Sequence, residues 1–130
     1  MIHFQSLAPN LVVADVNETV NFYTSVLGFT FITSVPQEGT FHWAMVQRDQ
    51  VTVMFQTRES LQEDMPALQI GSGGSPGTFF IRIEGVEEYA SRLRGTVRMV
   101  HDLRTTFYGM KEITIQDLNG YYLTFAEEAT

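Results

Sequence analysis

Residues 7–28 read LAPNLVVADVNETVNFYTSVLG, and the place where this stretch changes its period decides the fold. The first part alternates into the run Leu11, Val12, Val13, as a strand with one buried face does. At Asp15 the pattern changes. Asp15 is a good N-cap residue, and Glu18 follows at the capping-box spacing that opens a helix. Val16, Val20, Tyr23 and Leu27 then recur at intervals of four, three and four, so they share one helical face, and Gly28 supplies a left-handed stop. That apolar face is expected to pack onto a sheet.

The sheet is legible downstream. Strand-like runs follow at residues 29–35 (FTFITSV), 40–47 (TFHWAMVQ) and 51–57 (VTVMFQT), separated by polar turns, so the first half reads β-α-β-β-β. Residues 58–77, RESLQEDMPALQIGSGGSPG, are polar and glycine-rich and read as a linker. The order then restarts. TFFIRIEGV (78–86) is a strand entering a helix that carries Val86, Ala90 and Leu93 on one face and stops at Gly95, and runs at 96–102, 111–117 and 121–127 complete it. Ile83 follows Val13 by 70 residues and Thr124 follows Thr52 by 72, so the halves stay nearly in register. The expected fold is α+β: two tandem βαβββ modules, about 7–57 and about 78–128, forming curved mixed sheets around a cavity within a single domain spanning 1–130.

Composition narrows the function. A chain of 130 residues that is 44% hydrophobic is long enough to bury a core as one domain. No run of roughly 18 apolar residues occurs, and MIHFQSLAPN at the start has neither a basic leader nor an apolar signal core. A soluble, cytoplasmic protein without a membrane partner is expected. The absence of cysteine excludes disulfides, thiolate metal sites and cysteine nucleophiles. A net charge of −7, from 15 acidic against eight basic residues with no basic run, argues against nucleic acid as a partner.

Two stretches carry a family resemblance. PNLVVADVNETVNFYTSVLGF (9–29) resembles the opening of the vicinal oxygen chelate superfamily, and YGMKEITIQDLNGYYLTF (108–125) resembles its closing. That superfamily includes glyoxalase I, bleomycin and fosfomycin resistance proteins and extradiol dioxygenases. Its metal-dependent members draw ligands from the first and last strands of each module. The resemblance puts those four positions at Ala8, Thr52, Thr78 and Thr124, none of which is a good ligand for a divalent ion. It therefore implies a frame without the usual metal, most like the bleomycin-resistance branch, and no cofactor is expected.

Other chemistry is sparse. His3, His42 and His101 are the only imidazoles, and their spacing does not place them together. No nucleophile elbow, phosphate loop or dinucleotide fingerprint occurs, and GSGGSPG (71–77) precedes a strand instead of opening a helix. Alternation puts Asn10, Val12, Met54, Gln56, Phe80, Arg82 and Tyr122 on a cavity wall that is mostly apolar with a few polar anchors, as a small-molecule site requires. Trp43 joins them if its strand keeps register. Tyr108 and Lys111 occupy the aromatic and basic places of the closing motif, and Arg82 favours an anionic ligand group.

The expected function is small-molecule binding, as in sequestering an antibiotic or metabolite. The alternative is a lyase, isomerase or dioxygenase with relocated metal ligands, or metal-free proton transfer by Glu112 or Tyr108. A regulatory or immunity-type interaction domain is a third possibility. An unpaired first-strand edge and the apolar arm MIHFQS point to an isologous homodimer with two equivalent cavities built partly from both chains.

Overall fold

The computed structural model describes residues 1–71, 73, 74 and 77–129, and the chain divides into two compact units, Met1–Ser72 and Gly73–Thr130. In the first unit the elements are β1 (Asn10–Val13), α1 (Val16–Ser25), β2 (Thr30–Val35), β3 (Trp43–Arg48), β4 (Val51–Thr57) and α2 (Arg58–Asp64). The second contains β5 (Thr78–Arg82), α3 (Val86–Leu93), β6 (Arg98–Thr105), β7 (Met110–Gln116) and β8 (Tyr122–Glu128). Each unit builds one four-stranded mixed sheet, in the orders β1-β4-β3-β2 and β5-β8-β7-β6. The first strand of each lies parallel to the last, and the other pairs are antiparallel. The α+β architecture of two βαβββ-like modules is therefore present. Asn10 lies beside Met54 and Thr78 beside Tyr122, a separation of 44 residues in both sheets, so the duplication extends to register.

Helices α1 and α3 are fixed differently. At α1 the Asp15 carboxylate accepts from the Glu18 amide at 2.9 Å, as the sequence predicts. Beyond its end Gly28 takes φ +82°, and Arg48 donates to the Leu27 carbonyl at 2.7 Å, satisfying an acceptor the helix leaves behind. Tyr23 is fully buried, with its ring 4.8 Å from Phe55 and 5.5 Å from Phe29. At α3 the N-cap is Gly85, which has no side chain. The carboxylate of Glu127 on β8 substitutes, accepting from Gly85 at 3.2 Å and Val86 at 3.1 Å. Val86, Ala90 and Leu93 are buried, and Tyr89 meets Phe125 edge-on at 5.0 Å.

Two boundaries differ from the sequence reading. β1 begins at Asn10, and Leu7, expected to start the module, is 85% exposed. The stretch read as linker opens with α2, where the Thr57 hydroxyl accepts from the Ser60 amide at 3.2 Å and Leu61 is buried. One apolar anchor in seven residues is too short a period to announce a helix. Arg58 also donates to the carbonyls of Ile70, at 2.8 Å, and Gly71. Ser72, Ser75 and Pro76 of GSGGSPG, and Thr130, lie outside the described residues.

Candidate functional site

Each sheet has one face toward its helix and a distal face turned away from it. Leu11, Val13, Ala44, Val46, Val53 and Phe55 are buried on the helix side of the first sheet, so the alternate residues form its distal face. Val12, Gln56 and Trp43 make one row across β1, β4 and β3, and Asn10, Met54 and Met45 make the next. The pairing thus settles the register of Trp43. Val12, Trp43, Met45 and Met54 are each half-buried, giving an apolar surface with an aromatic ring at one end.

Its polar component is held in place. The Asn10 amide donates to Gln56 at 2.8 Å, and Gln56, 5% exposed, donates to Ser60 at 2.9 Å and to Asp64 at 2.7 Å. A buried amide satisfied on both ends keeps one orientation. Ser60 and Asp64 were not foreseen, because both lie on α2 inside the stretch read as linker.

The distal face of the second sheet has a different chemistry. Across β5, β8, β7 and β6 the rows run Thr78, Tyr122, Gln116, Arg98; then Phe80, Thr124, Thr114, His101; then Arg82, Ala126, Glu112, Arg104. Thr114 and Thr124 share a hydrogen bond at 2.8 Å. Glu112 is 2% exposed and accepts from the Tyr108 hydroxyl at 2.6 Å. That bond to a carboxylate, with burial second, raises the Tyr108 pKa above the usual phenol range. Phe80 is 54% exposed, and Arg82 pairs with Glu128 at 2.9 Å in an exposed position.

Lys111 lies on the other side. It shares parity with Ile113 and Ile115, and its ammonium pairs with Glu87 of α3 at 2.8 Å, which raises its pKa. Arg104 was missed because the strand at 96–102 in fact continues to Thr105.

The four places that the resemblance assigns to metal ligands are occupied by Ala8 just before β1, Thr52 on β4, Thr78 on β5 and Thr124 on β8. This donor set does not fit a divalent ion: alanine offers nothing, threonine hydroxyls are neutral, and that of Thr124 is already bonded to Thr114. No group of three or more His, Asp or Glu side chains suited to a metal occurs among the described residues. His3 and His42 belong to the first unit, whereas His101 and Glu112 sit on neighbouring strands of the second. Among the described residues no helix is long and apolar enough to cross a membrane.

The family model described as Glyoxalase/Bleomycin resistance protein/Dioxygenase superfamily matches residues 2–125. Among curated proteins no sequence matches this chain. Similar solved structures include TioX from Micromonospora sp. ML1, with a TM-score of 0.78 and 20% identity over 96% of this chain and 99% of that one. A superfamily member from Sphaerobacter thermophilus DSM 20745 gives 0.78 and 17% over 98% and 100%. Virulence protein STM3117 from Salmonella typhimurium gives 0.73 and 22% over 98% and 99%. At these identities the likeness speaks to the fold, whereas the family match spans nearly the whole sequence. This chain belongs to the glyoxalase/bleomycin resistance protein/dioxygenase superfamily.

Proposed function

We propose that this chain is a small-molecule-binding protein that sequesters an antibiotic or metabolite on the distal faces of its sheets without the metal common in the superfamily. The observation that carries the reading is the face of Val12, Trp43, Met45 and Met54 beside the fixed Asn10 and Gln56 amides. Apolar area there supplies burial and the amides set orientation, the combination a small-molecule site requires. Within the second unit, Phe80, Arg82 and Tyr122 share a distal face of their own, and Tyr108 reaches it through Glu112. Lys111 is left out because its charge is spent on Glu87.

Trp43 is the only tryptophan, so its fluorescence reports on this face alone. Chelator-treated protein titrated with a panel of planar aromatic antibiotics and metabolites is expected to show saturable quenching. Incubation with nickel, zinc, manganese or iron followed by desalting is expected to leave no stoichiometric metal, and stoichiometric retention would overturn the reading.

A second reading is favoured by the Tyr108 and Glu112 contact. A phenol bonded at 2.6 Å to a buried carboxylate is a proton-transfer pair, suited to metal-free isomerisation of a bound substrate. Turnover that survives chelation and is lost in Glu112→Gln would select it over simple sequestration.

Assembly as an isologous homodimer is part of the proposal. The exposed apolar arm of Met1, Ile2, Phe4 and Leu7 supports it, since such a surface favours a partner. Light scattering is expected to give twice 14.7 kDa, and a constant mass near 14.7 kDa with ligand binding intact would refute the dimer.

A further inference from the structure

We infer that Glu112 and Arg104 together take a ligand group that carries a hydrogen-bond donor beside a carboxylate, as in an α-amino or α-hydroxy acid. This rests on the reading of the chain as a small-molecule-binding protein and adds the chemical class of the ligand.

Glu112 is nearly buried, yet only one of its oxygens is used. Oε2 accepts from Tyr108, and among the described residues nothing donates to Oε1. No buried side-chain oxygen among those residues is sealed off without a partner, so Oε1 remains open to solvent or a ligand. Tyr108 fixes the carboxylate from one side. A ligand ammonium or hydroxyl can donate to the free oxygen, and such charge-assisted bonds are about twice as strong as neutral ones.

Arg104 supplies the complement. It lies directly across from Glu112 in the β6 and β7 pairing, one strand spacing of about 4.8 Å away and on the same face. Among the described residues it makes no ion pair or hydrogen bond, and its charge is felt at the Tyr108 phenol, whose pKa it pulls down against the larger effect of Glu112. A free guanidinium fork on an adjacent strand matches a carboxylate. The neighbouring row adds no competing charge next to Glu112, because Thr114 and Thr124 satisfy each other, and exposed Phe80 at its far end offers apolar area for a side chain.

The test uses the full-length, isotope-labelled protein and four probes that share a phenyl group. Phenylalanine and phenyllactate carry donor and carboxylate, phenethylamine carries only the donor, and 3-phenylpropanoate only the carboxylate. Side-chain NMR signals of Glu112 and Arg104 are expected to move with the first two, with a Kd at least tenfold below that of either single-function probe, a difference of about 1.4 kcal/mol. Arg104→Gln, at an exposed position that leaves the fold intact, is expected to bring phenylalanine to the affinity of phenethylamine. Glu112→Gln is expected to remove the advantage of phenylalanine over 3-phenylpropanoate, and Tyr108→Phe to reduce it while leaving Arg104 in place. Equal affinity for all four probes, or undiminished phenylalanine binding in Arg104→Gln, overturns the inference. If no probe moves Glu112 or Arg104 while Trp43 responds to other ligands, this inference fails and the binding function stands. If Trp43 is silent as well, both fail.

Discussion

The two units share a topology and a 44-residue register between first and last strands, but their distal faces have diverged. The first presents methionine, valine and tryptophan around a fixed amide pair, and the second presents arginines, a histidine and a buried glutamate. The ion pairs Arg82–Glu128, Arg92–Glu88, Arg94–Asp102 and Lys111–Glu87 lie in the second unit. Hydrogen bonding and burial of the backbone constrain the frame in both copies. Distal-face positions, several of them buried, carry different side chains in the two copies, so one topology supports two chemistries.

The largest expected effects test whether the units share stability as they share topology. Phe55 is fully buried against Tyr23 in the first, and Ile113 is fully buried in the second. Phe55→Ala should cost about 3–5 kcal/mol and Ile113→Ala about 2–5 kcal/mol, since each leaves a cavity as well as losing burial. Urea unfolding measures the totals. Native-state hydrogen exchange shows where the loss falls: if Phe55→Ala exposes the amides of β7 and β8 as much as those of β3 and β4, the units unfold as one.

Capping gives the next contrast. Asp15→Ala should cost about 0.5–2 kcal/mol, because the helix loses a local side-chain acceptor. For α3 the corresponding change is Glu127→Gln, and pH reads it more clearly. The Val86 and Gly85 amides hold the Glu127 pKa below its ordinary range, and the Arg94 guanidinium does the same for Asp102. A carboxylate whose folded pKa is depressed contributes stability that is fully present above its unfolded value, about 4. That contribution is lost as pH falls through the folded pKa. Acid should therefore weaken α3 and its sheet, and Glu127→Gln should flatten this part of the stability profile. An unchanged acid profile in the variant would show that the borrowed cap contributes nothing.

These contrasts also mark what the sequence could express. Period and local caps are written in neighbouring residues, so the βαβββ order of each module, the Asp15 cap and the stops at Gly28 and Gly95 were legible. The distal-face parity of Asn10, Met54, Gln56, Phe80, Arg82 and Tyr122 was legible for the same reason. Lys111 was open to the same reasoning, since its parity with Ile113 and Ile115 turns it toward α3, but the closing motif drew attention to its charge instead. Other features depend on residues far apart in sequence. Glu127 caps a helix 41 residues upstream, and Gln56 is anchored by α2, whose single buried leucine gives no period to read. The 2.6 Å contact of Tyr108 with Glu112 depends on the turn at Gly109, where φ is +81°, and no pattern of residue types specifies that approach.

The smallest expected effect on stability separates structural from ligand-directed charge. Arg82 and Glu128 lie 2.9 Å apart, but their side chains are 66% and 65% exposed, so water screens the attraction and side-chain entropy opposes it. Arg82→Gln should change stability by no more than about 0–1 kcal/mol, read from urea midpoints at unchanged slope. A second ligand anion seated against exposed Phe80 would displace water from this guanidinium and strengthen its hold, so the same variant should weaken binding of the dicarboxylate benzylsuccinate while leaving phenylalanine, whose one carboxylate goes to Arg104, unaffected. The two measurements together decide the role of Arg82. Reduced stability with unchanged binding would make it a strut between β5 and β8, and unchanged stability with weakened anion binding would place it in the ligand site.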